Sequence, residues 1–244
     1  MDTEKLAALR GMIDKSDRIV FFGGAGVSTE SGIPDFRSED GVFRAMQAYG
    51  YPPETLLSHD FFLANPEVFY EYYNAFLILP DVRPNAAHRA LARLEAAGKL
   101  TAVVTQNIDG LHQLAGSQNV LELHGSTQRN FCMTCQRRYA LADIAPGGTP
   151  VPRCACGGII RPDVVLYGEM LDDDVVSAAV RHIRAADMLI VGGTSLVVQP
   201  AASLLSYFRG DRLVLINKSE TPYDRMAALV INDAIGAVLG AAME

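Results

Sequence analysis

Positive charge is scarce in this sequence, and the shortage argues against one broad class of function. Among the 244 residues, 21 are lysine or arginine and 28 are aspartate or glutamate, which gives a formal net charge of -7 at pH 7. A protein that binds nucleic acid needs a field of Lys and Arg side chains to attract phosphates, and this chain as a whole does not supply one. We therefore expect no nucleic acid partner, and cationic partners suit the charge better.

The sequence also lacks the segments that direct proteins into or across membranes. No positively charged start is followed by an apolar stretch, and the most apolar window, Met188 to Leu205, is interrupted by two glycines, Gln199 and Pro200. This window predicts buried core, so we expect no membrane association. Cysteine is sparse as well. All four cysteines lie between Cys132 and Cys156, where metal binding or redox chemistry is a better interpretation than disulfides. We expect a cytoplasmic protein.

The residues that are present are typical of a globular α/β protein. With 49% hydrophobic and 20% charged residues, the chain can form one large domain, or a large domain that carries a small inserted module. Apolar runs rich in branched residues alternate with helical patterns, which predicts a doubly wound parallel sheet. The predicted strands are 18–22, 101–105, 120–123, 187–191 and 212–216.

Two stretches break this alternation. Residues 35–83 are rich in aromatic residues and proline with short helical patterns, and residues 126–161 contain all the cysteines and a cluster of proline and glycine. Because neither stretch continues the alternation of strands and helices, we predict two insertions that form a second lobe.

A glycine-rich turn directly follows the first predicted strand. Residues 23–26, Gly-Gly-Ala-Gly, place backbone N–H groups where they can approach a pyrophosphate, which suggests a dinucleotide. A tight strand exit without a ligand is the alternative. The dehydrogenase fingerprint is incomplete, because Thr29 stands where its third glycine belongs and no second strand ending in Asp or Glu follows about 20 residues later. Chemistry other than hydride transfer is therefore expected.

The cysteines form two closely spaced pairs. Two residues separate Cys132 from Cys135, and one residue separates Cys154 from Cys156. Two such thiolate pairs can close a tetrahedral site, for which zinc is the natural ion, and without an open coordination position that zinc would be structural. Unligated buried thiols are one alternative. A nucleic-acid-binding zinc ribbon is another, which the acidic chain disfavours.

Polar side chains follow two further predicted strands. Residues 105–112 place an amide pair and the carboxylate of Asp109 at the carboxyl end of a parallel sheet, where ligands bind. Capping of the next helix is the alternative role for Asp109. His124 ends the following strand at the same edge, and its imidazole suits proton transfer near neutral pH. The other four histidines are expected to be structural or solvated.

Seven segments, taken in order, carry a resemblance to one protein family. They are Gly-Ala-Gly-Val-Ser-Thr-Glu-Ser-Gly-Ile-Pro-Asp-Phe-Arg at 24–37, Thr-Gln-Asn-Ile-Asp-Gly-Leu-His at 105–112, Glu-Leu-His-Gly at 122–125, the cysteine pairs, Arg-Pro-Asp-Val-Val-Leu-Tyr-Gly-Glu at 161–169, Gly-Gly-Thr-Ser-Leu at 192–196 and Ile-Asn-Lys at 216–218. Their order and spacing resemble the sirtuins, of bacterial type, over nearly the whole chain. The one departure is the single residue between Cys154 and Cys156, where the family often has two.

The resemblance implies an NAD-dependent protein lysine deacetylase or deacylase. Sirtuins consume NAD as a co-substrate and transfer the acyl group of an acyl-lysine protein or peptide to its ribose, producing nicotinamide, free lysine and O-acyl-ADP-ribose. The implied fold is a Rossmann-like NAD-binding domain made of residues 1–34, 84–125 and 162–244, with a smaller lobe made of a helical insertion (35–83) and a zinc-binding module (126–161). A mono-ADP-ribosyltransferase with the same NAD site, an NAD-binding module without catalysis and an oxidoreductase are the competing functions.

The resemblance also implies roles for individual residues. His124 is the expected general base, and Asn107 and Asp109 are further catalytic residues. The expected zinc ligands, one structural Zn²⁺ per chain, are Cys132, Cys135, Cys154 and Cys156. An edge strand to which the substrate peptide adds is expected at Val164, Val165, Leu166 and Tyr167. The residues expected to bind NAD are Gly24, Ala25, Gly26, Thr29, Phe36, Arg37, Gln106, Ile108, Asp109, Gly193, Thr194, Ser195, Asn217, Lys218 and Asp233.

The identity of the acyl group is suggested by one more absence. Between Arg44 and Arg83 the sequence has no Lys or Arg, and this span matches the segment that borders the acyl pocket in sirtuins. Relatives that prefer succinyl or malonyl groups have a Tyr and an Arg three residues apart there. Residues 69–76 supply tyrosines but no cation, and Glu71 would repel an anion if it faced inward. We expect acetyl and longer apolar groups to be preferred over succinyl.

Overall fold

A computed structural model describes residues 2–34, 39–144 and 151–243. In chain order its helices and strands are α1 (Thr3–Asp14), β1 (Ile19–Gly23), α2 (Glu39–Tyr49), α3 (Pro53–Leu56), α4 (His59–Ala64), α5 (Pro66–Phe76), α6 (Ala86–Ala96), β2 (Leu100–Thr105), α7 (Leu111–Leu114), β3 (Val120–Glu122), β4 (Gly125–Cys132), β5 (Arg138–Ala140), β6 (Ile160–Val164), α8 (Asp173–Ala185), β7 (Met188–Gly192), β8 (Arg212–Ile216), β9 (Leu229–Ile231) and α9 (Ile235–Ala242). Short 3₁₀ turns lie between several of them, the longest described one at Ala201–Tyr207.

The main sheet is parallel throughout. Its six strands within the described ranges follow the order β3-β2-β1-β7-β8-β9. The winding reverses between β1 and β7, and in doubly wound folds ligands bind at the carboxyl ends of the strands beside this point. The prediction of a Rossmann-like doubly wound sheet is confirmed.

Hydrophobic side chains cover both faces of this sheet. All five residues of β1 are buried, and successive side chains point to opposite faces. Ile19 and Phe21 pack with buried residues of α1, α6 and α9, whereas Val20 and Phe22 pack with α8 and the 201–207 turn. Because every position of the strand is buried on one face or the other, the sequence contains a continuous apolar run and no alternation. The sheet therefore forms a rigid platform for the loops at its carboxyl edge.

Polar side chains fix where the flanking helices begin. Asp172 accepts hydrogen bonds from the backbone N–H groups of Asp174 and Val175 at the start of α8. Asn85 accepts one from Ala87 at the start of α6, and its amide donates to the carbonyl of Val27 at 2.7 Å. Such caps satisfy N–H groups that the helix leaves unpaired. The cap at Asn85 also ties α6 to the loop that follows β1.

The second lobe combines helices and a small sheet. Helices α2–α5 pack around aromatic side chains, and in the described residues β5-β4-β6 form a three-stranded antiparallel sheet. The Tyr70 hydroxyl of α5 donates to the Ile160 carbonyl of β6, which joins the two parts. Among the described residues, no helix has the length and apolarity that crossing a membrane requires.

Candidate active site

A cleft with a volume of about 240 Å³ lies where the carboxyl edge of the main sheet meets the second lobe. Its polar wall comes from the loops that follow β1, β2 and β3. Apolar side chains of α5 and of the segment after β6 form the facing wall. The predicted residues that the structure brings together in this lining are Ala25, Gln106, Asn107, Ile108, Asp109, His124, Val164, Val165, Leu166 and Tyr167.

Two glycines allow the turn after β1 to cross the switch point of the sheet. The N–H of Gly26 donates to the carbonyl of Gly193 at 2.8 Å. A Cβ atom on Gly26 would lie only 2.8 Å from the Gly193 Cα, and Gly193 has a φ of +60°. Larger residues would push the two loops apart. The Thr29 hydroxyl donates to the Gly26 carbonyl at 3.0 Å and closes the turn that begins at Gly24.

An amide, a hydroxyl and a carboxylate form a network on the cleft floor. The Ser28 hydroxyl donates to Asp109 Oδ2 at 2.7 Å, and the Asn107 amide donates to Ser28 Oγ at 3.1 Å. Burial raises the pKa of the Asp109 carboxyl, while hydrogen bonds from Ser28 and from the N–H of Leu111 lower it. Asp109 therefore both lines the cleft and bonds the first residue of α7. The sequence prediction did not include Ser28, although its position directly after the glycine turn was a usable signal.

The orientation of the His124 ring is fixed by the backbone of the neighbouring loop. Its Nδ1 lies 2.9 Å from the carbonyl oxygen of Gln106. Because a carbonyl only accepts, Nδ1 carries the proton, and in the neutral ring Nε2 then carries the lone pair. The Ile108 carbonyl accepts hydrogen bonds from the N–H and hydroxyl of Thr127, which ties the same loop to β4. The imidazole is thus held at the polar wall in a form suited to accept a proton.

A second polar chain continues along the sheet edge towards β8. Gln106 Nε2 donates to Thr194 Oγ1 at 3.2 Å, and the N–H of Thr194 donates to Asn217 Oδ1 at 2.9 Å. Asn217 Nδ2 is buried and has no hydrogen-bond partner among the described residues. A buried amide donor without a partner is costly unless a ligand or water accepts from it. This donor and the glycine cradle fit the polar groups of a dinucleotide.

Several predicted cofactor residues that the structure describes lie outside the cleft lining, namely Gly24, Gly26, Thr29, Gly193, Thr194, Ser195, Asn217, Lys218 and Asp233. Ser195 and Lys218 are exposed at the ends of β7 and β8. Asp233 precedes α9, where a hydrogen bond from the Ala234 N–H and the nearby Lys218 ammonium lower the pKa of its carboxyl. The predictions for Phe36 and Arg37 lie outside the described residues.

The segment predicted as an edge strand forms one wall of the cleft, but most of it is not a strand. β6 ends at Val164. Beyond that residue the backbone donors turn to other partners: Val165 donates to the His124 carbonyl at 2.9 Å and Tyr167 to the Leu57 carbonyl at 3.0 Å. Val165 and Leu166 are therefore not part of a strand, and Tyr167 forms only an isolated parallel β-bridge with Ser58; binding of the substrate peptide along 164–167 stays a prediction. Residues 198–200 also line the cleft and were not predicted, although they follow the 192–196 motif closely.

The apolar part of the cleft is lined by Ile33, Phe76 and Leu77. Phe76 stacks on Tyr72 with ring centroids 4.8 Å apart. Among the described residues, the lining contains two carboxylates, Asp109 and Glu169, and no Lys or Arg. Glu71 is exposed and absent from this lining, and Phe76 is the residue of α5 that the described lining contains.

The four cysteines converge beside β4 and β6 despite their unequal spacing. Their sulfur atoms all lie within 4.8 Å of one another, with Cys132 and Cys156 at 3.5 Å and Cys135 and Cys154 at 3.6 Å. A disulfide needs about 2.05 Å, whereas sulfurs around a tetrahedral zinc at about 2.3 Å are about 3.8 Å apart. Hydrogen bonds from the N–H groups of Cys135 and Thr134 lower the pKa of the Cys132 thiol, against the effect of burial. The donor set therefore fits a structural zinc.

Comparison with known proteins identifies the family. The Sir2 family matches residues 24–200 of the chain. An NAD-dependent protein deacetylase of Clostridium tetani is 56% identical over 245 aligned residues, covering 100% of this chain and 98% of that protein. A solved Sir2 homologue in complex with NAD has a TM-score of 0.88 at 40% identity and covers 100% of this chain and 93% of its own. A Sir2 structure with a deacetylated p53 peptide and 3'-O-acetyl ADP-ribose has the same TM-score at 37% identity, with coverages of 98% and 97%. The resemblance to bacterial sirtuins is confirmed: the chain belongs to the Sir2 family.

Proposed function

We propose that this protein is an NAD-dependent protein lysine deacetylase. The observation that carries the proposal is the convergence, in one cleft, of a tautomer-fixed imidazole, a Ser28–Asp109–Asn107 network and a loop able to border a peptide. The deacetylase relative aligns over the full chain, and solved relatives contain NAD or an acetylated ADP-ribose product. Transfer of an acyl group from lysine to NAD requires all three parts of such a cleft.

NAD is consumed in this reaction as a co-substrate. The glycine turn at 24–26 and Thr29 would hold the pyrophosphate, because close backbone approach is what a pyrophosphate needs. Thr194, Ser195 and Asn217 Nδ2, which has no partner among the described residues, would hold the adenosine half, with Gly193, Lys218 and Asp233 beside them. Phe36 and Arg37 remain proposed to close over the cofactor. Gln106, Ile108 and the network around Asp109 would grip the nicotinamide ribose and carboxamide, so these residues position NAD and do not attack it.

His124 is the proposed general base. Donation from Nδ1 to the Gln106 carbonyl leaves the Nε2 lone pair to take a proton from a ribose hydroxyl when the acyl group is transferred. The His124 backbone carbonyl accepts a hydrogen bond from the Val165 N–H. The residue that supplies the base is therefore bonded directly to the wall proposed to bind the substrate.

The acyl group is proposed to lie against Phe76 and the other apolar residues of the cleft. A succinyl group would bring a carboxylate into a lining whose charged members, among the described residues, are both acidic. Burying an unpaired charge is strongly unfavourable. Acetyl and longer apolar acyl groups are therefore the proposed substrates.

One structural Zn²⁺, held by Cys132, Cys135, Cys154 and Cys156, is proposed to keep β4, β5 and β6 together. All coordination positions would be filled by sulfur, so the ion has no part in the chemistry. Reduced thiolates are maintained in the cytoplasm, which supports a cytoplasmic location for the protein. Acyl-lysine proteins are the proposed partners.

The test is incubation of the purified protein with NAD and an acetyl-lysine peptide, followed by mass spectrometry. We expect nicotinamide, deacetylated peptide and O-acetyl-ADP-ribose in equal amounts, with no nicotinamide release when the unacetylated peptide is used. Nicotinamide release without deacetylation, together with a peptide that gains an ADP-ribose mass, would instead identify a mono-ADP-ribosyltransferase. The His124→Ala variant is the matched control for background hydrolysis.

A further inference from the structure

The loop that forms the peptide-facing wall is held by one carboxylate. Glu169 closes this substrate loop, residues 165–169, and its two oxygens accept four hydrogen bonds. Oε1 accepts from Arg161 Nη1 at 2.7 Å and from His59 Nδ1 at 2.7 Å. Oε2 accepts from Arg161 Nη2 at 3.0 Å and from the Leu166 N–H at 2.9 Å. A carboxylate offers about four lone-pair positions, so Glu169 has little capacity left to bind substrate itself.

The three residues whose side chains form this network come from three different parts of the chain. Arg161 lies on β6 of the small sheet, Glu169 on the substrate loop and His59 at the start of α4. The Arg161 side chain is only 10% exposed and lies over the rings of Phe62 and Phe131. A buried guanidinium in a bidentate pair keeps a fixed geometry. Although burial raises the pKa of Glu169, hydrogen bonds from Arg161, Leu166 and His59 lower it to about 2, so the carboxylate stays ionised.

Two backbone hydrogen bonds also hold the substrate loop. The Tyr167 N–H donates to the Leu57 carbonyl, and the Tyr167 carbonyl accepts from the His59 N–H at 2.9 Å. His59 thus binds the loop through both its backbone and its side chain. Without these contacts the segment after β6 would be an irregular loop that must be ordered whenever a peptide binds, and such ordering weakens affinity.

We propose that Glu169, held by Arg161 and His59, is a positioning residue that pre-orders the substrate loop and thereby sets the affinity for the acyl-lysine peptide. This inference rests on the proposed deacetylase function. It concerns peptide binding: the four hydrogen bonds of Glu169 join β6, α4 and the substrate loop, and none of them goes to the glycine turn or to the Thr194–Asn217 chain, so we expect NAD binding to be unchanged.

Glu169→Gln is the direct test. It keeps the size of the side chain but replaces one accepting oxygen with an NH₂ group, which would face the N–H donors that Glu169 now binds. Peptide affinity is measured by fluorescence anisotropy with a labelled acetyl-lysine peptide, ADP-ribose affinity by calorimetry, and kcat and KM at saturating NAD. We expect the peptide Kd and KM to rise about tenfold or more, with the ADP-ribose Kd within about twofold of the wild type. His59→Ala should raise the peptide Kd about threefold, and His59→Gln, which keeps an N–H donor, should restore most of that loss.

Asp187→Asn is the matched control. Asp187 also accepts two backbone hydrogen bonds, from Asp17 and Arg18 at 3.0 and 3.1 Å, but at the amino end of β7, the opposite edge of the sheet. It should leave both affinities unchanged. The proposal is overturned if Glu169→Gln binds the peptide as the wild type does, or loses ADP-ribose binding in parallel. If Glu169→Gln does not fold, the His59 variants provide the test. The proposal is then overturned if His59→Ala and His59→Gln both bind the peptide with the affinity of the wild type. A wild-type protein that does not deacetylate contradicts the proposed function instead.

Discussion

Phe76 is the residue through which the acyl preference can be reversed most directly. It lines the cleft at the end of α5, and Tyr73 lies one helical turn earlier with a buried hydroxyl that has no hydrogen-bond partner among the described residues. Phe76→Arg would therefore place a cation at the cleft lining, three residues after a tyrosine whose buried hydroxyl has no partner among the described residues. Residues three apart lie on the same side of a helix. The substitution supplies the pairing group that a succinyl carboxylate lacks in the wild type.

The expected changes in kcat/KM follow from the free-energy cost of burying an unpaired charge. A preference of about 100-fold for acetyl over succinyl corresponds to about 2.7 kcal/mol in transition-state free energy, which is within the cost of leaving a buried charged group unpaired. A hydrogen bond to a charged group contributes about 1.5–3 kcal/mol, so Phe76→Arg should raise kcat/KM for the succinyl peptide about 10- to 150-fold. Activity on the acetyl peptide should fall, because the variant lacks the stacking of the Phe76 ring on Tyr72.

The assay compares kcat/KM for one peptide sequence that carries acetyl-, butyryl- or succinyl-lysine. Asn74→Arg is the control, because Asn74 is exposed on the same helix and its substitution adds the same charge away from the cleft. It should leave the ratio of succinyl to acetyl activity unchanged. If the wild type removes succinyl as well as acetyl, or if Asn74→Arg and Phe76→Arg behave alike, the acyl pocket has been assigned to the wrong part of the cleft.

Two further substitutions test the catalytic and metal assignments. His124→Ala should lower deacetylation about 100-fold or more while ADP-ribose still binds, because the base acts in the chemical step; a variant with more than about a tenth of the wild-type rate would remove His124 from that role. Elemental analysis should find about one zinc per chain, and Cys154→Ala should lose it and unfold at a lower temperature. Full stability and activity of the metal-free protein would refute the structural zinc.

The sequence was most informative where a local pattern determines a local structure. The buried runs of β1 and β7 are apolar at every position, and the glycines at 26 and 193 are required by a contact that leaves no room for a Cβ. The short strand β9, in contrast, was not predicted. The division of the chain at residues 34, 83, 125 and 161 stays a prediction.

Contacts between distant segments account for what the sequence could not reveal. Glu169 and His59 are 110 residues apart, and neither has a sequence pattern that points to the other. Ser28 and Asp109 are 81 residues apart. The failure of the edge-strand prediction has the same cause, because a β-branched run predicts a strand only if its backbone donors have no better partner. Here the His124 and Leu57 carbonyls and the Glu169 carboxylate accept from them.

Acid stability offers a test of the core beneath the active site. His88 and His112 are buried with ring centroids 4.7 Å apart, and burial lowers their pKa values to about 4 and about 3, helped by Arg89 for His88 and by His88 for His112. Because the unfolded chain binds protons with a pKa near 6.5, the folded state loses stability as the pH falls below that value towards about 4. At pH 5.5 each ring should cost about 1.4 kcal/mol relative to neutral pH. Urea unfolding of the zinc-loaded protein at pH 7.5 and 5.5 measures the total, and His112→Met should reduce the loss by about 1.4 kcal/mol. An identical pH dependence in the variant would mean that the His112 ring is not held neutral by the fold.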